Sequence, residues 1–409
     1  MTEGRLRALA SRDFRRFLIG LFISIIGTQM QRVAVAWQMY QLTGSAVSMG
    51  LLGLARVTPV LLFAVGGGVL ADAFDRRRMM LVTQSALALS SVGLATLTYT
   101  GHVSPAVVYG AVALSGLASA FDAPARGSLV ALLVPRADLP NALSLNGVIF
   151  ELGTVIGPAV GGLLIGRWGV LPVYIFDALS FGAVIIALLG MSKNLPQGEK
   201  SPIQLSAVVD GLRFLGSNRL ILSTMLLDFF ATFFAGALLL LPIVADRTLA
   251  VGPEGLGILY AAAPVGASIA AVAVSWRGAI RQQGRVLIGS VVIYGAAIAA
   301  FGMSSSFPLA LLFLAISGAA DCVSTVIRQT MRHLLTPEAL RGRMTSLNMM
   351  FFIGGPQLGE LESGLVAGAL GTRFAITSGG LLCIGAALAT ARFVPSLRHQ
   401  QLSDSMKAP

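Results

Sequence analysis

The chain has 409 residues, of which 55% are hydrophobic and only 11% charged. A soluble domain carries about 25% charged residues, so this composition excludes a soluble protein and places the chain in a membrane. Long unbroken apolar runs exclude an outer-membrane barrel, whose strands show short segments of alternating polarity. The net charge of +11 would suit a nucleic-acid binder, but the order of the segments assigns the basic residues another role.

A helix needs about 20 apolar residues to cross the bilayer core. Twelve such spans are predicted, at 16–41, 46–71, 79–100, 105–133, 141–166, 170–192, 219–245, 255–276, 285–304, 307–333, 343–368 and 372–394. The basic N-terminal stretch leads into a full-length apolar run with no cleavage-type site, so it reads as a first span and not as a signal peptide. Six spans precede 193–218 and six follow. That stretch, with Lys193, Asn194, Pro196, Gly198, Glu199 and Lys200, is the most polar interior segment. Its second part, Leu205 to Leu215, has apolar residues at helical spacing and could lie along the membrane surface. The expected domains are a six-helix bundle over 1–192, a cytoplasmic linker over 193–218, and a second bundle with a short tail over 219–409.

With the N-terminus inside, the cytoplasmic segments hold 22 of the 29 Lys and Arg residues, and the opposite side holds only Arg167, Arg247 and Arg373. The other four lie within spans. This bias puts both termini in the cytoplasm of a multi-pass inner-membrane protein. It accounts for the net charge without a nucleic-acid partner. Cys322 and Cys383 lie in apolar runs with no metal-ligand or disulfide pattern. No metal and no cofactor are expected.

Residues 126–169 repeat at 328–371, 202 positions later, with 15 identities in 44 positions and no gap. Arg126 matches Arg328, and Gly153, Gly157, Gly162 and Gly169 match Gly355, Gly359, Gly364 and Gly371. An offset of half the chain indicates two homologous halves, a plan common among secondary transporters.

Between spans 2 and 3 the chain reads Gly68-Val69-Leu70-Ala71-Asp72-Ala73-Phe74-Asp75-Arg76-Arg77-Arg78. An aspartate at a helix end with arginines soon after can form a charged clasp. Simple positive-inside charge explains the arginines, but not Gly68 and Asp72 at that spacing. This segment resembles the G-x-L-A-D-r-x-G-r-r loop of the major facilitator superfamily, departing from it at Ala73 and Asp75. The resemblance implies gating roles for Gly68, Asp72, Arg76 and Arg77. In span 5, Gly153-Thr154-Val155-Ile156-Gly157-Pro158-Ala159-Val160-Gly161-Gly162 resembles the G-x-x-x-G-P-x-x-G-G motif of that superfamily's drug and proton antiporters. Phe121–Arg126 and Gly255–Ala262 resemble its enterobactin-exporter and macrolide-efflux branch. The fold implied is all-α and membrane-embedded, with twelve helices in two pseudo-symmetric six-helix bundles. The function implied is export of a bulky organic molecule.

A charge at the bilayer centre costs at least about 2.5–3.5 kcal/mol, so each intramembrane ionisable residue needs a partner, a wet cavity or a function. Such residues are Arg32, Arg56, Asp122, Arg126, Glu151, Asp177, Asp228, Asp321, Arg328, Glu360 and Glu362. Asp122 and Arg126, four apart, can pair on one helix face; they are either a plain ion pair or part of a gating network. Arg328 is expected as the matching gate element, although Ser324 replaces Asp122 in the repeat. Gln29 and Arg32 share a side of span 1, and the resemblance implies that spans 1 and 7 line the central cavity. Asp228 of span 7 is then either a proton or cation site or the neutraliser of a nearby arginine. Glu360 and Glu362, two apart, face nearly opposite sides of span 11. Glu360 shares a side with Pro356 and Gln357 and is preferred as the cavity-facing one. A carboxylate in a low-dielectric pocket can exchange protons near neutral pH, the chemistry that proton antiport requires.

The expected function is secondary active efflux of a drug-like or siderophore-like molecule by a monomer, coupled to protons through alternating access. The absence of a G-x-x-x-x-G-K-[ST] sequence argues against direct use of ATP. The alternatives are a metabolite uptake permease, an integral membrane enzyme and a channel. No metal-ligand cluster or nucleophile–base pair supports an enzyme, and no ring of charge supports a channel.

Overall fold

A computed structural model of the chain describes residues 7–73, 75–191, 213–278 and 280–401, with the backbone alone at 64–73, 237, 339, 341–343, 346, 350 and 353. Among the described residues all regular structure is helical. The long helices are α1 (Arg12–Thr43), α2 (Ala46–Ala73), α3 (Arg76–Tyr99), α4 (Pro105–Leu133), α5 (Leu139–Trp168), α6 (Leu171–Leu189), α7 (Arg219–Phe234), α8 (Gly252–Arg277), α9 (Gln283–Met303), α10 (Phe307–Leu335), α11 (Arg341–Leu370) and α12 (Thr372–Phe393). A short α13 (Pro395–His399) follows. Among the described residues eleven segments are long and apolar enough to cross a membrane, α7 counting together with its continuation to Thr248. The remaining expected span forms α11, 30 residues long and carrying Glu360 and Glu362. Large apolar side chains such as Leu62, Leu179 and Ile186 are more than two-thirds exposed, as suits helices facing lipid. Most of the 193–218 stretch, and with it the expected surface helix, lies outside the described residues.

Local chemistry sets the helix ends. Asp75 caps α3, its carboxylate accepting from the Arg77 and Arg78 amides at 2.8 and 3.2 Å. Ser104 caps α4 and is followed by Pro105, whose missing N–H costs nothing in a first turn. Helices α5 and α11 both end on glycines of positive φ, Gly169 and Gly371. The repeat is therefore structural: α4 and α10, and likewise α5 and α11, begin and end 202 positions apart.

By packing, the chain divides into two compact units. One comprises α1, α2 from Ala55, α3 to α6, and Gly252–Ala261 at the start of α8; the other comprises Gly44–Leu54 of α2, α7 to Val251, and the chain from Ala262. The expected halves thus differ from the packing units in two segments, each drawn to a glycine face. In the first unit, Gly153, Gly157 and Gly161 of α5 lie against Ile25, Gln29 and Met30 of α1, while Gly162 meets Gly257 and the Pro253 carbonyl of α8. In the second, Gly355 and Gly359 of α11 lie against Phe229, Thr232 and Phe233 of α7, while Gly364 meets Gly50 of α2. In lipid, burial of apolar surface does not drive helix association, so close backbone contact through small residues takes its place. A Cβ added at Gly162 would stand 2.6 Å from the Pro253 oxygen, and one at Gly364 2.6 Å from the Gly50 Cα.

The continuous helix predicted over 219–245 is interrupted. Helix α7 stops at Phe234, and 3-10 turns at Ala237–Leu240 and a π turn at Val244–Thr248 carry the span onward. Gly236, at the break, lies against the Gly359 carbonyl and the Glu360 nitrogen of α11, with no room for a side chain.

Candidate functional site

The second unit contains, among the described residues, a charged set of one arginine and two carboxylates. Arg328 of α10 and Asp228 of α7 are both under a tenth exposed, and the Arg328 Nη2 lies 2.8 Å from the Asp228 Oδ1. This is an ion pair in close contact that lacks hydrogen-bond alignment. Arg328 donates to the Ser324 and Thr325 hydroxyls of its own helix at 2.9 and 2.8 Å. Asp321, whose side chain is 48% exposed, stands 3.8 Å from Arg328. One guanidinium therefore serves two carboxylates, one buried and one reaching open space. Tyr294 of α9 and Arg332, one turn along α10, are within electrostatic reach.

The repeat explains why Arg328 reaches across to α7. In the first copy Arg126 pairs with Asp122 four residues earlier, and Asp122 also accepts from Thr83 and Gln84 of α3, each at 2.9 Å. In the second copy Ser324 stands at the Asp122 position, so Arg328 takes its counter-charge from another helix. The two arginines expected as matched gate elements thus have different partners. The missing i−4 carboxylate was the sequence signal for the second arrangement.

Elsewhere in this unit, Glu360 lies against α2: a Cβ at Gly53 would stand 2.7 Å from its Oε2 and 2.6 Å from the Gln357 carbonyl. Glu362 is half-buried, with Ser363 Oγ 3.4 Å from its Oε2. Phe229, Phe233 and Phe351 form an aromatic cluster beside the end of α7.

In the first unit, Arg32 is exposed and Gln29 half-buried, with the Gln29 Cβ at the Gly157 face of α5. Pro158 and the motif glycines Gly153, Gly157, Gly161 and Gly162 are all buried; they make contact faces. Arg77 donates to the Leu189 carbonyl at the end of α6 at 3.0 Å, a favourable place for a cation. Arg76 is half-buried. Gly68 and Asp72 are described by their backbone alone, so the clasp expected there lies outside the described side chains. Asp75, which departs from the loop motif, is the cap of α3.

A polar ladder was not foreseen. Gln31 and Gln38 of α1 donate to Ser91 and Thr98 of α3 at 2.8 and 3.0 Å. Ser91 donates to Asp177 at 2.6 Å, and Tyr174 to Gln38 at 2.7 Å. Both glutamines and both hydroxyl residues are seven apart. That spacing marks one face of each helix and was the available signal.

The family model for transmembrane secretion effectors matches residues 4–409. The enterobactin exporter EntS of Shigella boydii serotype 18 (strain CDC 3083-94 / BS512) is 29% identical over 377 residues, covering 92% of this chain and 90% of the relative. EntS of Escherichia coli O81 (strain ED1a) matches to the same extent. Among solved structures, a bacterial homolog of the human lysosomal transporter Spinster has a TM-score of 0.73 at 15% identity, covering 94% of this chain and 98% of that one. The peptide transporter PepTSo has a TM-score of 0.75 at 13% identity, covering 95% and 99%. The chain is a multi-pass membrane transporter of the major facilitator fold, not an enzyme, and it belongs to the transmembrane secretion effector family.

Proposed function

We propose that this transporter exports a small, bulky organic molecule of siderophore-like or drug-like character from the cytoplasm. Export is driven by proton antiport with alternating access, and both termini are cytoplasmic. The observation that carries the coupling is the shared arginine: Asp228 and Asp321 both address Arg328. A proton on Asp321 leaves Arg328 wholly to Asp228, and a proton on Asp228 frees it for Asp321. Asp321 is the more exposed of the two carboxylates. A proton or a cationic group of the substrate entering this set would change the partner of a buried guanidinium, which moves α7 against α10. The names of the relatives support a siderophore-like substrate. Two alternative couplers remain on α11, Glu360 and Glu362.

Sided vesicle flux under an imposed pH gradient tests this reading, with a catecholate siderophore and a macrolide as probes. Export should follow the gradient, and Asp321→Asn and Asp228→Asn should lose that dependence while still binding the probe. Gradient-independent transport would overturn proton coupling, and net inward flux would establish an uptake permease.

A further inference from the structure

At the end of α12 remote from Gly371, two arginines and a histidine surround one groove. Arg392, Arg398 and His399, with Leu388, Ala391 and Pro395, line a cavity of about 320 Å³. Arg398 and His399 are not on a loose tail. Leu397 is fully buried, its carbonyl lies against Gly284 at the start of α9 with no space for a side chain between them, and the Gly284 amide donates to the Gln400 carbonyl at 3.1 Å. The short α13 is thus held in place, and the groove with it. Among the described residues no carboxylate pairs with Arg392, Arg398 or His399. Arg281 and Arg285, both exposed, lie near Gly284 in sequence and add to the positive field.

The wall above the groove is apolar and uncovered. Leu381 and Leu388 of α12, seven residues apart and so on one face, are 58% and 56% exposed, and Phe393 is 80% exposed. A fixed cationic groove that continues into an exposed apolar helix face matches a molecule with a phosphate anion at one end and hydrocarbon at the other. Guanidinium groups bind phosphate oxygens in pairs, and basic pockets at the membrane surface recognise anionic headgroups.

We propose that the groove formed by Arg392, Arg398 and His399 binds the phosphodiester headgroup of an anionic phospholipid, with its acyl chain along Leu388 and Leu381. This inference does not depend on the transport reading.

Native mass spectrometry of the purified full-length protein tests it, with phosphatidylglycerol or phosphatidylcholine added in equal amounts. Phosphatidylglycerol should be retained in preference, and Arg392→Gln and Arg398→Gln should each weaken its retention about fivefold. Arg373→Gln, at the other end of α12, should leave retention unchanged. Arg392→Lys with Arg398→Lys keeps the charge and should keep the preference, which covers the case of a poorly folding glutamine variant. Equal retention of the two lipids, or an unchanged preference in the Arg392→Gln/Arg398→Gln protein, would overturn the proposal. Displacement of phosphatidylglycerol by equimolar inorganic phosphate would overturn it too, because the site would then be one for free phosphate.

Discussion

The Asp228–Arg328 pair can be tested by a double-substitution cycle. Breaking a buried pair costs about 3–5 kcal/mol, because the remaining charge stays in an apolar interior. The burial of both residues places them in that regime. Asp228→Asn should sit near the lower end, about 3 kcal/mol, because Arg328 keeps Ser324, Thr325 and Asp321. Arg328→Met should sit near the upper end, about 5 kcal/mol, because Asp228 loses the one cation within ion-pair distance among the described residues. The double variant buries neither charge and should cost no more than the worse single change. Unfolding of the detergent-solubilised protein, followed by intrinsic fluorescence against temperature and denaturant, reads the three values. If the single effects add within about 0.5 kcal/mol, the two residues are not coupled and the proposed site fails with them.

Other expectations follow from the packing. Gly162→Ala places a Cβ 2.6 Å from a backbone oxygen and should cost about 1–3 kcal/mol, whereas Gly182→Ala in α6 meets no atom within 4 Å and should stabilise by up to about 1 kcal/mol; thermal unfolding separates them. Asp75→Ala removes the α3 cap and should cost about 1 kcal/mol, but Asp75→Gly, the residue usual in the loop motif, only a few tenths, measured in the same way. Gly53→Ala should displace the Glu360 side chain, which lies 2.7 Å from the new methyl position. Glu360→Gln should reduce transport in vesicles more than Glu362→Gln; the reverse order would make Glu362 the functional carboxylate of α11.

The sequence determined the architecture, because the constraints behind it are local or periodic. A bilayer demands helices of a fixed length, so apolar runs give spans. The 202-residue offset gave two halves, and the structure reproduces it to the residue at the ends of α4 and α10 and of α5 and α11. The pair Asp122–Arg126 was legible because four residues make one helical turn. Partners on different helices were not, since nothing in a linear chain fixes how one helix is rotated against another. Tertiary packing alone decided that Arg328 turns to Asp228, that Glu360 stands against Gly53 of α2, and that Gln31 and Gln38 meet Ser91 and Thr98. That Asp75, a misfit in the loop motif, caps α3 is by contrast a local effect, since its carboxylate reaches amides only two and three residues on. The glycines were visible from the start as a pattern. Which backbones they admit depends on sub-ångström approach between helices remote in sequence, and that distance exists only in the folded chain.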